Sequence, residues 1–303
     1  MGTLGEKLGH IIIPLVTAFN KDTGEVDYDQ TQKLADDLIN KNFCDSIVVT
    51  GTTGEFNTLT FEERITLFKV IKEAVQNRVP VVAGSGAASA REAVRLTQEA
   101  ERLGYETAMV VCPYYCKPDQ KGIYQYFATV AQSVSIDIML YNIPLFTGVN
   151  INPQTVTRLA ELKNIKGIKD EAGLNPTQMT EYAMLTPEDF TIYNGDDIMV
   201  LCGLAQGAAG VVSGGSHILG DQIRNMINLF LQGQIVKARD IHNQLDPFFK
   251  ALGANDRVNP IPILRAAIEI AGYPVGPPRL PLVEATVEEK QMIKKHLVRL
   301  GVI

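Results

Sequence analysis

Ile165-Lys166-Gly167-Ile168-Lys169, followed directly by Asp170 and Glu171, is a short apolar segment that ends on charge. Its length and flanking polar stretches predict a strand with Lys169 at the carboxyl end. A free lysine is almost wholly ammonium at neutral pH, and burial disfavours that form, which turns a buried amine into a nucleophile for carbonyl carbon. The plainer reading of Lys169 is a strand-end lysine that snorkels to water or pairs with Asp170. Its place among the other strands decides between them.

Seven more runs of this kind surround it: Ile11 to Val16, Ser46 to Thr50, Pro80 to Gly84, Thr107 to Cys112, Ile136 to Tyr141, Phe190 to Asn194, and Ala209 to Ser213. Several are apolar throughout, as parallel strands covered on both faces are. Helix-period stretches separate them, with start signals at Thr60/Glu63 and Ser89/Glu92, where hydroxyl and carboxylate can each satisfy an orphan backbone N–H. Eight strand-helix units in 303 residues fit a closed (β/α)8 TIM barrel, an α/β fold, better than an open doubly wound sheet, which strand count alone does not exclude. The strand signal ends near residue 232. Gln234 to Leu252, Pro260 to Ala271 and Val287 to Leu300 then read as three helices, the last started by Thr286 and Glu289. The expected division is a catalytic barrel over residues 1–232 and a C-terminal helical extension over 233–303.

The net charge of −6, with no basic run to offset it, argues against a nucleic-acid surface. No apolar stretch approaches bilayer length, and the first ten residues, which include Glu6 and Lys7, resemble no signal peptide. Cys44, Cys112, Cys116 and Cys202 lie in or beside apolar segments and read as small buried hydrophobes in a reduced compartment. A cytoplasmic protein is expected.

In such a barrel the strand carboxyl ends build the active site. Those ends carry Gly51-Thr52-Thr53-Gly54-Glu55, Pro113-Tyr114-Tyr115, Tyr141-Asn142-Ile143-Pro144, Lys169-Asp170, Gly195-Asp196-Asp197 and Ser213-Gly214-Gly215-Ser216-His217. The stretch from Gly51 to Gly54 suits a carboxylate or phosphate, and equally a glycine turn with hydroxyl caps. Ser213 to Ser216 could likewise hold a phosphate, but with no basic partner nearby in sequence it reads first as a tight turn. A lone tyrosine is usually core or rim, but Tyr141 and Tyr115 at strand ends could shuttle protons to a substrate. Glu55 and Asp197 read as acceptors for backbone donors. The histidines His10, His217, His242 and His296 are isolated, the Cys112/Cys116 spacing fits no zinc knuckle, and no glycine fingerprint follows the first strand. Neither metal nor other cofactor is expected. Lysine, tyrosine and threonine remain, which is equipment for imine chemistry on a small keto acid.

At these residues the chain resembles the dihydrodipicolinate synthase / N-acetylneuraminate lyase family, class I pyruvate-dependent aldolases. Gly51-Thr52-Thr53-Gly54-Glu55, Tyr141-Asn142-Ile143-Pro144 and Gly167-Ile168-Lys169-Asp170 carry the likeness, supported by Asn259-Pro260-Ile261-Pro262. The resemblance runs from about residue 10 to the C-terminus. It implies that Lys169 forms a Schiff base with pyruvate and that Tyr141 is the acid/base over the imine. Thr53 and Tyr115 would complete a proton relay, with Tyr115 supplied by a neighbouring subunit of a homodimer or dimer-of-dimers tetramer. Thr52, Thr53 and nearby N–H groups would hold the pyruvate carboxylate, beside Gly195 and Val212.

The departures bear on the second substrate. Phe146 stands where synthases acting on aspartate semialdehyde carry an arginine for substrate carboxylate. Losing that charge-assisted contact costs about 1.5 to 3 kcal/mol, or roughly ten- to more than hundredfold in recognition. Phe61, Arg64 and Ala88 replace the family's lysine-feedback residues, which argues against lysine regulation. The sialic acid lyase branch prefers serine at Thr52 and threonine at Glu171, whereas Phe56 resembles the branch acting on 2-keto-3-deoxy sugar acids. The sequence therefore places a 2-keto-3-deoxy sugar-acid aldolase ahead of dihydrodipicolinate synthase. A keto-deoxy sugar-acid dehydratase, N-acetylneuraminate lyase and a non-catalytic ligand-binding barrel follow.

Overall fold

The computed structural model describes residues 2–171, 173, 175–255 and 257–303. In chain order its first half comprises α1 (Leu4–Leu8), β1 (Ile11–Pro14), α2 (Tyr28–Asn40), β2 (Ser46–Val49), α3 (Phe61–Val75), β3 (Val81–Gly84), α4 (Ala90–Arg102), β4 (Thr107–Val111), α5 (Gln120–Gln132) and β5 (Asp137–Asn142). There follow α6 (Pro144–Thr147), α7 (Pro153–Ala160), β6 (Ile165–Asp170), α8 (Gln178–Leu185), β7 (Thr191–Asn194), α9 (Val200–Ala205), β8 (Gly210–Val212) and α10 (Ser216–Leu231). The C-terminal helices are α11 (Ile235–Ala251), α12 (Ile261–Ile270) and α13 (Val287–Arg299). Each strand pairs in parallel with the next, and β8 returns to β1 through Ile11–Val211 and Ile12–Val212, so the sheet is a closed barrel. The expected TIM barrel with three C-terminal helices is what forms.

Alternation along the strands explains the closure. Ile12, Val48, Val82, Met109 and Met139 pack together inside the barrel. Their neighbours Ile11, Ile13, Ile47, Val49, Ala83, Ala108 and Ile138 belong to the larger cluster beneath the helices. With a side-chain period of two, apolar residues at successive positions coat both faces, and both are buried. The boxes at Thr60/Glu63 and Thr286/Glu289 close in both directions, each worth about 0.5–2 kcal/mol at the cap. At Ser89 only half forms: its hydroxyl accepts from the Glu92 N–H at 3.3 Å.

The short helix before β1 has no counterpart in the sequence reading. The five-residue α1 is capped by Thr3 and Glu6 and plugs the amino end of the barrel with Leu4 and Leu8. The Gly5 N–H donates to Thr191 Oγ1 at 3.0 Å, and Ser46 Oγ donates to the Leu8 carbonyl at 2.9 Å. That leaves the carboxyl end as the open mouth. Among the described residues, no helix is long and apolar enough to cross a membrane.

Candidate active site

In β6 Ile168 faces the outer core, so Lys169 points into the barrel, where only 4% of it is exposed. It does not snorkel to water, and its amine lies 3.3 Å from Glu171 Oε2. Asp170 Oδ1 accepts from Asn142 Nδ2 at 2.8 Å and from Gln178 Nε2 at 3.2 Å, which ties β5 to β6. Tyr141 is the register partner of Lys169 across β5 and β6, and the amine lies 4.0 Å from the centre of its ring. Burial pushes the Tyr141 phenol well above its ordinary range, and the charge of Glu171 adds to this, while a hydrogen bond with Thr52 opposes it.

Glu171 joins these two groups. Its Oε2 accepts from the Tyr141 hydroxyl at 2.9 Å and lies 3.3 Å from Lys169 Nζ. Burial raises this carboxyl, the Lys169 charge counters it, and Asp196 raises it again. The sequence reading passed over Glu171 as a site residue. The signal that could have found it is its spacing: two residues beyond Lys169, an extended chain returns to the same face. The chain does stay extended there, since the Glu171 N–H donates to the Asn142 carbonyl at 2.9 Å.

A cavity of about 350 Å³ opens over this group, and its lining includes Thr52, Thr53, Tyr141, Lys169, Gly195 and Val212. Phe146 of α6 also lines it, with Phe249, Leu252 and Leu264 from the C-terminal helices. Glycine at 195 is a spatial requirement. A Cβ there would stand 2.5 Å from Lys169 Cε and 3.0 Å from Glu171 Oε2.

Thr52 and Thr53 both line the cavity, and Thr52 is the one whose hydroxyl lowers the Tyr141 phenol. Tyr115 stands clear of the cavity, 93% exposed with a positive φ of 73°. The stretch after β2 is a turn in which the N–H groups of Gly54 and Glu55 donate to the carbonyls of Gly51 and Thr52. Asp197 accepts from the Gly215 N–H at 2.7 Å and Glu55 from the Arg279 N–H at 3.0 Å, as acceptors for backbone donors do. Burial raises the Asp197 carboxyl to about 6. Cys44 and Cys112 are buried, but Cys116 and Cys202 are exposed, so apolar neighbours in sequence mispredict half of the cysteines. Arg64, in the region compared with a lysine-feedback site, is buried and donates to the Gly84 and Gly86 carbonyls. Among the described residues no cluster of three or more histidine, cysteine or acidic side chains is placed to hold a metal ion.

With this geometry in view, comparison with known proteins is decisive. The sequence model of the Dihydrodipicolinate synthetase family matches residues 7–300. The chain belongs to that family. It is 45% identical over 286 residues to a 4-hydroxy-tetrahydrodipicolinate synthase of Desulforudis audaxviator, covering 94% of this chain and 95% of the relative. The structure superposes with a TM-score of 0.93 on dihydrodipicolinate synthase from Cyanidioschyzon merolae with lysine bound, at 39% identity and over 98% and 99% of the two chains. It matches the chloride-inhibited enzyme of Acinetobacter baumannii complexed with pyruvate at a TM-score of 0.91, 32% identity, and 98% and 100% coverage. As a member of this family the chain is a class I, pyruvate-dependent lyase that makes or breaks a carbon–carbon bond through a lysine Schiff base.

Proposed function

We propose that Lys169 is the Schiff-base lysine and that the chain condenses pyruvate with aspartate semialdehyde, the reaction named for its relatives. This reverses the order that the sequence suggested, because the relatives named above are synthases and not sugar-acid aldolases. The observation that carries it is the buried amine of Lys169 facing the phenol of Tyr141, with Thr52 on that phenol, at the floor of a cavity of about 350 Å³. Lys169 attacks the pyruvate ketone, and the protonated imine then draws electrons from the methyl carbon to give an enamine. Tyr141, with Thr52, moves the protons of the enamine and condensation steps, while Thr53 and the turn before it hold the pyruvate carboxylate. Gly195 and Val212 leave room beside the imine, and Tyr115 serves the site of a neighbouring copy in a homo-oligomer. The barrel of residues 1–232 carries the chemistry and the helices of 233–303 wall its mouth, in a cytoplasmic enzyme without a cofactor.

A second reading, a neutral hydroxyaldehyde such as a sugar-acid aldolase would use, is favoured by one observation. Phe146 offers no charge, and the cations Lys250 and Arg257 at the cavity are already paired, at 2.8 Å with Asp246 and 2.7 Å with Glu289. Borohydride reduction with pyruvate should leave a covalent adduct on Lys169; an adduct elsewhere, or none, removes the mechanism. Condensation of pyruvate assayed against aspartate semialdehyde, glyceraldehyde, glycolaldehyde and N-acetylmannosamine separates the two readings.

A further inference from the structure

The carboxylate of Glu171 touches both the attacking nitrogen and the phenol beside it, through the same oxygen. Oε2 accepts from Tyr141 at 2.9 Å and sits 3.3 Å from Lys169 Nζ. A carboxylate that merely paired with the amine would hold a proton on it and suppress attack on a carbonyl. A carboxylate that can take that proton away does the opposite. The room for it is built in, since any side chain at position 195 would meet Glu171 Oε2 at 3.0 Å.

We infer that Glu171 is a catalytic acid/base for imine formation on Lys169, carrying a proton between the amine and the departing ketone oxygen. The inference rests on Lys169 being the Schiff-base lysine. The steps balance as follows. Glu171 takes a proton from the Lys169 ammonium, and the freed amine forms the N–C bond to pyruvate C2 while the carbonyl electron pair moves to oxygen. The acid returns its proton to that oxygen and takes the extra proton now on nitrogen. It then protonates the hydroxyl, the C–O bond breaks, one water leaves, and the nitrogen lone pair closes the C=N bond. An ammonium, a carboxylate and a ketone become a protonated imine, a carboxylate and water, with Glu171 regenerated.

Burial and Asp196 hold the Glu171 carboxyl above its ordinary range, so it can exchange protons nearer neutrality than an exposed glutamate. The other groups facing it are Lys169 from β6, Tyr141 from β5 and Asp197 after β7.

The test is the rate at which pyruvate alone produces the borohydride-trappable adduct, followed across pH in the full-length chain, together with deuterium exchange into the pyruvate methyl group. Glu171→Gln keeps the shape and cannot titrate; it should slow adduct formation by about a hundredfold or more and erase the rate's acidic limb. Glu171→Asp should restore part of the rate. Added formate should accelerate Glu171→Ala, an effect that a packing role does not produce. An unchanged rate in Glu171→Gln with a normal adduct in the parent overturns this inference alone. No adduct in the parent overturns the Schiff-base assignment, and this inference with it.

Discussion

Tyr141 and Lys169 are directly opposite one another in the parallel pairing of β5 with β6, and the amine lies 4.0 Å from the centre of the phenol ring. Parallel strands in register project such partners into the barrel at one level. The phenol ring therefore lies against the nucleophile and brings its hydroxyl to Glu171 and Thr52. An amine and a phenol so fixed need no reorganisation when a keto acid arrives, which is where positioning lowers a barrier.

Lys169→Ala removes the electrophile-trapping atom while its neighbours remain packed. Turnover should fall by orders of magnitude and the pyruvate adduct should vanish, with circular dichroism and unfolding midpoint close to those of the parent. Near-normal turnover would exclude Lys169 from the chemistry.

Thr52 and Thr53 should separate kinetically. Thr52→Val loses the hydroxyl that acts on Tyr141 and should lower kcat, within the roughly 10²- to 10⁴-fold that a positioned proton-transfer group supplies. Thr53→Val should mainly raise KM for pyruvate. Equal kcat losses in both would return Thr53 to the relay.

Phe146→Arg places a guanidinium on the cavity lining. If a missing carboxylate partner limits aspartate semialdehyde, kcat/KM toward it should rise by roughly tenfold or more, as one charge-assisted contact provides. Glyceraldehyde and glycolaldehyde should not gain. No gain with the semialdehyde would remove Phe146 as the determinant.

Gly195→Ala should disable the site without removing a reacting group. The added methyl would lie 2.5 Å from Lys169 Cε, so the lysine must move, and a displacement of this size can cost on the order of 10²-fold. Adduct yield with pyruvate reports it. Unaltered adduct formation would show that the lysine has slack.

His217 should make stability pH-dependent. It is fully buried, its Nε2 accepts from the Val16 N–H at 3.2 Å, and its Nδ1 lies 2.8 Å from the Gly214 carbonyl, so the neutral ring with hydrogen on Nδ1 satisfies both. Burial lowers its pKa from 6.5 to about 4. Between those values the unfolded chain binds the proton and the folded chain does not. The penalty is therefore absent above about pH 6.5 and grows as pH falls to about 4, where it is on the order of 3 kcal/mol. Urea unfolding from pH 7 to 4.5 should show this slope, and His217→Gln should flatten it. A variant with the parent's slope would assign it to other groups.

Much of the barrel was legible because its strands are buried on both faces, which writes continuous apolar runs such as Ile11-Ile12-Ile13 into the chain. Capping boxes marked α3 and α13 because a few local atoms satisfy the exposed backbone donors. The short α1 escaped because its stability comes from Leu4 and Leu8 filling the barrel floor, a contact made with strands far along the chain. Glu171 escaped because its role depends on the backbone continuing straight past the end of β6 and on the bare Gly195 opposite.

By itself the sequence determined the strand-helix alternation, and with it a lysine at the carboxyl end of the sixth strand, since periodicity and burial cost are local properties of the chain. Only the tertiary structure decided which groups meet that amine: Tyr141 across the register, Thr52 beside the phenol, and Glu171 in contact with both. The reason is that strand period fixes the face on which a side chain points, whereas the path of the turns beyond the strand ends is set by packing between distant segments.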